Sequence, residues 1–185
     1  VGNDPWGLAA MLFGSNQSSY EKCCRWQKAI ADRVMKDRGN FPGQYIAQLR
    51  DDLGKPNSIL VSRFLWSGID NHAGRAFAAV DLYDYLSGLD LPTGKRIVIC
   101  GHSHGGNVLA LLTNLLAANL GGVEEFLDAV GEYASTFDVN WKNRVRRVLD
   151  GPQLAKEYPL DMVTLGMPIR YGFETTGYAK LMHFV

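Results

Sequence analysis

Cysteine is scarce. Three occur in 185 residues, Cys23 and Cys24 side by side and Cys100 alone. An odd count without framework spacing excludes a disulfide scaffold. Such thiols are most simply buried or half-buried small hydrophobes, which fits a reducing, cytoplasmic setting. Long hydrophobic runs are missing as well. No stretch reaches the length of a membrane-spanning helix, and residues 1–5, VGNDP, have neither the basic nor the apolar region of a signal peptide. An excess of charge of one sign is also lacking. Nineteen basic residues balance nineteen acidic ones, so the whole-chain charge gives no support to nucleic acid or an anionic membrane as the main partner. Internal repeats and low-complexity tracts are absent.

What is there is an ordinary globular composition, 46% hydrophobic and 21% charged, in a length that suits one domain with a substantial core. The first residue is not Met, and residues 180–185, KLMHFV, read as the opening of a strand. The chain therefore reads as a fragment of something longer.

Ser18 and Glu21 fit a capping box, and Cys23, Trp26, Ile30 and Val34 follow at helical spacing up to Gly39. A short helix is expected around Ile46, Leu49 and Leu53. Residues 58–66, SILVSRFLW, are rich in β-branched and aromatic side chains and read as a strand. Residues 71–86 read as a helix, and residues 96–100, RIVIC, as a strand of the continuous apolar kind found in sheets covered on both faces. Residues 106–120 are nearly all Leu, Ala and Asn, a strongly buried helix. Two amphipathic pieces follow, one with Val123, Phe126, Leu127 and Val130, the other with Trp141, Val145, Val148 and Leu149, before an apolar strand at 161–166, DMVTLG. Alternating strands and helices predict an α/β domain whose mostly parallel sheet carries helices on both faces.

Within this pattern, residues 98–110 read VICGHSHGGNVLA. Gly101, Ser103 and Gly105 fit G-x-S-x-G, set between a predicted strand and a predicted helix. That context is what a nucleophile elbow requires: a sharp, strained turn that lifts a serine hydroxyl out of the sheet. Small residues two before and two after the serine let neighbouring backbone come close. The following helix points its amino end at the same spot, favouring developing negative charge, and the backbone N–H of His104 would form half of an oxyanion hole. Three other readings stay open. The glycines can serve helix-on-strand packing alone. His102 and His104 can be metal ligands, although zinc sites take at least three protein ligands and no further Asp, His or Cys follows closely. A phosphate loop lacks its Gly-Lys-Ser/Thr ending.

With these residues in view, the chain resembles the α/β-hydrolase family, in particular its bacterial lipase- and esterase-like members. GHSHGGNVLALL, from Gly101, is similar to the elbow and its helix. Residues 64–86, FLWSGIDNHAGRAFAAVDLYDYL, look like the strand and helix before the elbow strand. Residues 162–173, MVTLGMPIRYGF, look like the next strand, with Met167 where the family usually has Thr. Residues 1–7, VGNDPWG, look like the loop after the third family strand.

The resemblance implies a serine hydrolase cleaving a carboxylic ester, a small molecule or a lipid, through an acyl-enzyme on Ser103 and without a cofactor. It implies a second oxyanion donor in the backbone of Gly2 or Asn3. It puts the catalytic acid and the base His in that order after Ser103, with the base beyond Val185. Glu174 is a candidate for the acid against a plain solvated carboxylate. His183, in a predicted strand, reads as a framework residue, His72 as a surface or capping residue, Asp70 as a helix cap, and Trp66 as either pocket lining or core. Residues 121–160 are either a helical lid over an apolar substrate or two scaffold helices. Lys142 to Arg147, KNRVRR, is either a solvated face or a contact with phospholipid head groups at a membrane surface. The rival reading is a hydrolase-fold module that binds a lipid or protein partner and catalyses nothing.

Overall fold

Two of the apolar runs become neighbouring strands, β1 (Ile97–His102) and β2 (Leu160–Leu165), and the last residues add β3 (Lys180–Phe184). The computed structural model describes residues 41–53, 59–66, 68, 71–92, 94–117, 120–134, 138, 140–150 and 154–185, with isolated positions from 12 to 33. Among these the helices are α1 (Gly43–Leu53), α2 (His72–Ser87), α3 (His104–Leu116), α4 (Leu120–Ala134), α5 (Trp141–Asp150) and α6 (Leu154–Glu157). Ser18, Ser19, Lys22, Cys23, Trp26, Gln27, Ile30 and Arg33 are also helical, where the 18–34 periodicity puts a helix.

The sheet has the order β1-β2-β3, and both pairs are parallel. Helices with a small three-stranded parallel sheet make an α/β arrangement. Parallel neighbours need long crossovers: α3 to α6 supply the one from β1 to β2. The register sets Ile97, Ile99 and Gly101 against Leu160, Met162 and Thr164. This set faces α3, and Leu160 and Met162 are fully buried. Alternate residues point the other way. There, Val98, Cys100, Met182 and Phe184 are exposed. The expectation of helices on both faces is met on one face among the described residues.

Helix α2 starts where Asn71 caps it, its side chain accepting a 2.6 Å hydrogen bond from the Gly74 N–H. Capping thus falls to Asn71, one residue beyond the expected Asp70, which lies outside the described residues. Ala78, Ala79 and Val80 are fully buried because α2 packs on α3 on one side and on α4 and α5 on the other. Residues 59–66 do not form the expected strand. Phe64 and Trp66 pack against the core from a segment without regular secondary structure. That segment is tied down instead by side chains: Arg50 Nε donates to the Val61 carbonyl at 2.9 Å, and the Ser62 and Tyr85 hydroxyls meet at 3.0 Å.

Helices α4 and α5 bury Val123, Leu127, Val130, Trp141 and Val148 in the same core as α2. Trp141 stacks on Phe77, with ring centroids 6.0 Å apart. The basic run in α5 is not a uniformly solvated face. Arg144, 15% exposed at its side chain, pairs with Asp81 and Asp84 of α2 and, at 2.9 Å, with Asp138; Arg147 pairs with Asp84. No helix among the described residues is long and apolar enough to cross a membrane.

Asp81 is buried enough that desolvation raises its carboxyl above the usual value, with Arg144 pulling it back down. Replacing Arg144 leaves that carboxylate buried without its main counter-charge, the costly way to break such a pair. Urea unfolding of Arg144→Met at neutral pH is expected to show a loss of about 2–3 kcal/mol. The loss shrinks as the pH falls toward the carboxylate range, because a group with a raised folded-state pKa is stabilising in its protonated form.

Candidate functional site

The carboxyl ends of β1 and β2, the amino ends of α2 and α3, and the loop after β2 converge, as expected of ligand sites in parallel α/β sheets. Ser103 sits at the centre, between the last residue of β1 and the first of α3, with φ 51° and ψ −122°. Among the described residues it is the one non-glycine with positive φ. A side chain in this region strains the backbone by about 1–3 kcal/mol. The strain persists because the turn is fixed from both sides. The Ser103 N–H donates to the Leu165 carbonyl of β2 at 2.9 Å, and the Ser103 carbonyl accepts from the Gly106 N–H at 3.0 Å.

Glycine explains how the turn closes, with one change from expectation. A Cβ on Gly101 would lie 2.7 Å from the Gly105 carbonyl carbon and 2.9 Å from the Gly106 nitrogen, so the strand end and helix start meet backbone to backbone. A Cβ on Gly106 would lie 2.8 Å from the Met167 side chain. A Cβ on Gly105 meets nothing within 4 Å. The crowded glycine after the serine is therefore Gly106, and Gly105 is not needed for space.

The loop after β2 wraps this helix start. Buried Asn107 donates to the Pro168 carbonyl at 2.9 Å and accepts from the Arg170 N–H at 3.2 Å, using both ends of its amide. Tyr171 carries the wrap to α2: its hydroxyl lies 2.7 Å from His72 Nδ1 and accepts from Arg75 Nη1 at 3.3 Å. Arg75 Nη2 reaches to 3.5 Å from His104 Nδ1, a long contact. Partial desolvation, with the guanidinium charges of Arg75 and Arg170, lowers the His104 imidazole below the ordinary histidine value.

These contacts define what the arrangement can do. Ser103 is half-buried and reachable, and α3, thirteen residues long, presents its amino end there. The His104 N–H is the first of α3, at the helix end where an anionic oxygen is favoured. The Ser103 side chain makes no capping hydrogen bond to α3. The other candidates lie as follows. His183 stands on β3 with Nδ1 2.6 Å from Thr164 Oγ1 and its ring edge-on to Phe173. Glu174 is exposed, and its N–H donates to Thr113 Oγ1 at 3.0 Å. His102 ends β1 and His72 opens α2. Gly2 and Asn3 lie outside the described residues. No three His, Cys, Asp or Glu side chains among the described residues cluster as a metal site would need. Arg75, Asn107 and Tyr171 are site residues that motif reading passes over. For Arg75 and Asn107 the signal is a charge and an amide inside the buried stretches of two helices.

Two predictions follow from this packing. Gly101→Ala is expected to lose about 1–3 kcal/mol of stability and Gly106→Ala less, since Met167 can partly yield, whereas Gly105→Ala holds or gains up to about 1 kcal/mol from helix propensity. Melting temperatures of the three variants check that order. Ser103→Gly relieves the strained turn and is expected to be about 1 kcal/mol more stable than the parent. A destabilised Ser103→Gly in the same melts would remove the strain from the account.

No family model matches the chain, and searches of the curated proteins and of the solved structures give no significant match.

Proposed function

We propose that the chain is a serine hydrolase, of α/β-hydrolase type, that cleaves a carboxylic ester through an acyl-enzyme on Ser103. The observation that carries the proposal is the backbone of Ser103, φ 51° and ψ −122°, in a strand-to-helix turn. Strain of this kind persists only when surrounding structure over-determines it, and it concentrates at functional sites. Here it falls on a serine between a strand end and the start of a helix whose dipole favours negative charge.

In this reading Ser103 Oγ attacks the ester carbonyl carbon, and the carbonyl oxygen becomes an oxyanion beside the His104 N–H. Collapse of the tetrahedral intermediate expels the alcohol, and water then releases the acid from the serine. Attack needs a proton acceptor, and the side-chain hydrogen bonds described around the turn run between other groups. If no base reaches Ser103, the second reading holds, a module of the same architecture that binds a lipid or protein partner without catalysis. The two differ in whether Ser103 is activated.

Treatment with a fluorophosphonate probe separates them. Labelling that disappears in Ser103→Ala is the expected result and means that a base acts on the serine. Absence of labelling in both proteins favours the binding module.

A further inference from the structure

A guanidinium buried beside a reactive turn needs a reason. Arg75 is 1% exposed, and its buried neighbours along α2 from Ala76 to Val80 are all Ala, Phe or Val. Burying such a cation costs several kcal/mol unless it is well paired, and an apolar side chain of similar length would fill the space at less cost. What an apolar residue lacks is the fork. From one position on α2, Nη1 donates to the Tyr171 hydroxyl and Nη2 approaches His104 Nδ1. Three separate stretches of chain therefore meet on one side chain: the start of α2, the loop after β2 and the residue after Ser103. Arginine suits this because its donors lie in a rigid plane at fixed angles.

We propose that Arg75 is a positioning residue of the serine site, holding the His104 end of α3, and with it the His104 N–H, in place behind Ser103. The inference rests on the serine-hydrolase reading. It adds a residue that touches no substrate and acts through His104. Two effects follow from the geometry. The contact limits the swing of residue 104, whose N–H would have to meet an oxyanion at hydrogen-bond distance. The guanidinium also adds positive charge behind the amino end of α3, in a setting with little water to screen it.

Among the described residues, the His104 ring meets the guanidinium of Arg75, from α2, and the charge of Arg170, from the loop after β2, with Tyr171 and His72 linked to Arg75. Both neighbouring cations oppose protonation of the ring. A neutral ring can accept from Arg75 at Nδ1, whereas a protonated one would set N–H against N–H and break the contact.

The test uses the full chain and the variants Arg75→Met and Tyr171→Phe, the second keeping the ring and removing only the hydroxyl. Three quantities are measured on each: the rate of fluorophosphonate labelling at Ser103, the melting temperature, and the titration of the His104 ring by NMR. Arg75→Met is expected to label about tenfold more slowly and to move the His104 midpoint up toward the ordinary histidine value. Tyr171→Phe is expected to stay folded with a lower melting temperature and to label about threefold more slowly, which keeps the inference testable if Arg75→Met does not fold. Parent-like labelling in folded Tyr171→Phe, or an unmoved His104 midpoint in folded Arg75→Met, overturns the inference while the hydrolase reading stands. A parent that never labels overturns the hydrolase reading and this inference with it.

Discussion

The close approach of the end of β1 to the start of α3 is the constraint on which the rest of the site depends. Gly101 lies against the backbone of Gly105 and Gly106 with no room for a Cβ. Chain that turns this sharply from strand to helix leaves the residue between them little choice of dihedral angles, and Ser103 takes a conformation that side chains rarely adopt. Packing fixes the turn, the turn strains the serine, and the strain presents its hydroxyl at a helix amino end. The hydrogen bond from the Ser103 N–H to Leu165 carries the same constraint across to β2.

Rigid surroundings make such a turn sustainable. Helix α2 is buried nearly all round, and it holds α3 on one side and, through Asp81 and Asp84, the arginines of α5 on the other. The loop after β2 closes the remaining side through Asn107, Met167 and Tyr171. Helix α5 joins the same core as α2, with Trp141 stacked on Phe77 and Arg144 paired with Asp81. Energy stored at one residue is thus balanced by contacts from several separate elements.

How much of this could be read from the sequence varies by element. The strands at 97–102 and 160–165 and the helix at 72–87 were visible because apolar periodicity and caps are local signals. Residues 59–66 were misread because β-branched and aromatic residues report a surface that packs well, not a backbone that pairs. Phe64 and Trp66 do pack, but no neighbouring strand takes up their backbone. The motif found Ser103 and placed it correctly between strand and helix, yet it assigned the crowding to Gly105, when the decisive neighbour of Gly106 is Met167, some sixty residues away. Lys142 to Arg147 looked like a free basic run because a count of charges along the chain cannot see Asp81 and Asp84 across the core. Arg75 and Asn107 escaped for the same reason: their partners are remote in sequence.

On the proposed reading, the strained turn of the folded chain is what sets Ser103 apart from the other serines. Site-resolved mass spectrometry of the protein after fluorophosphonate treatment, folded and in urea, tests it most directly. The expected result is a phosphonyl adduct confined to the peptide bearing Ser103 in the folded protein and absent when the chain is unfolded. An adduct spread over several serines, or an equal yield in both states, would contradict it.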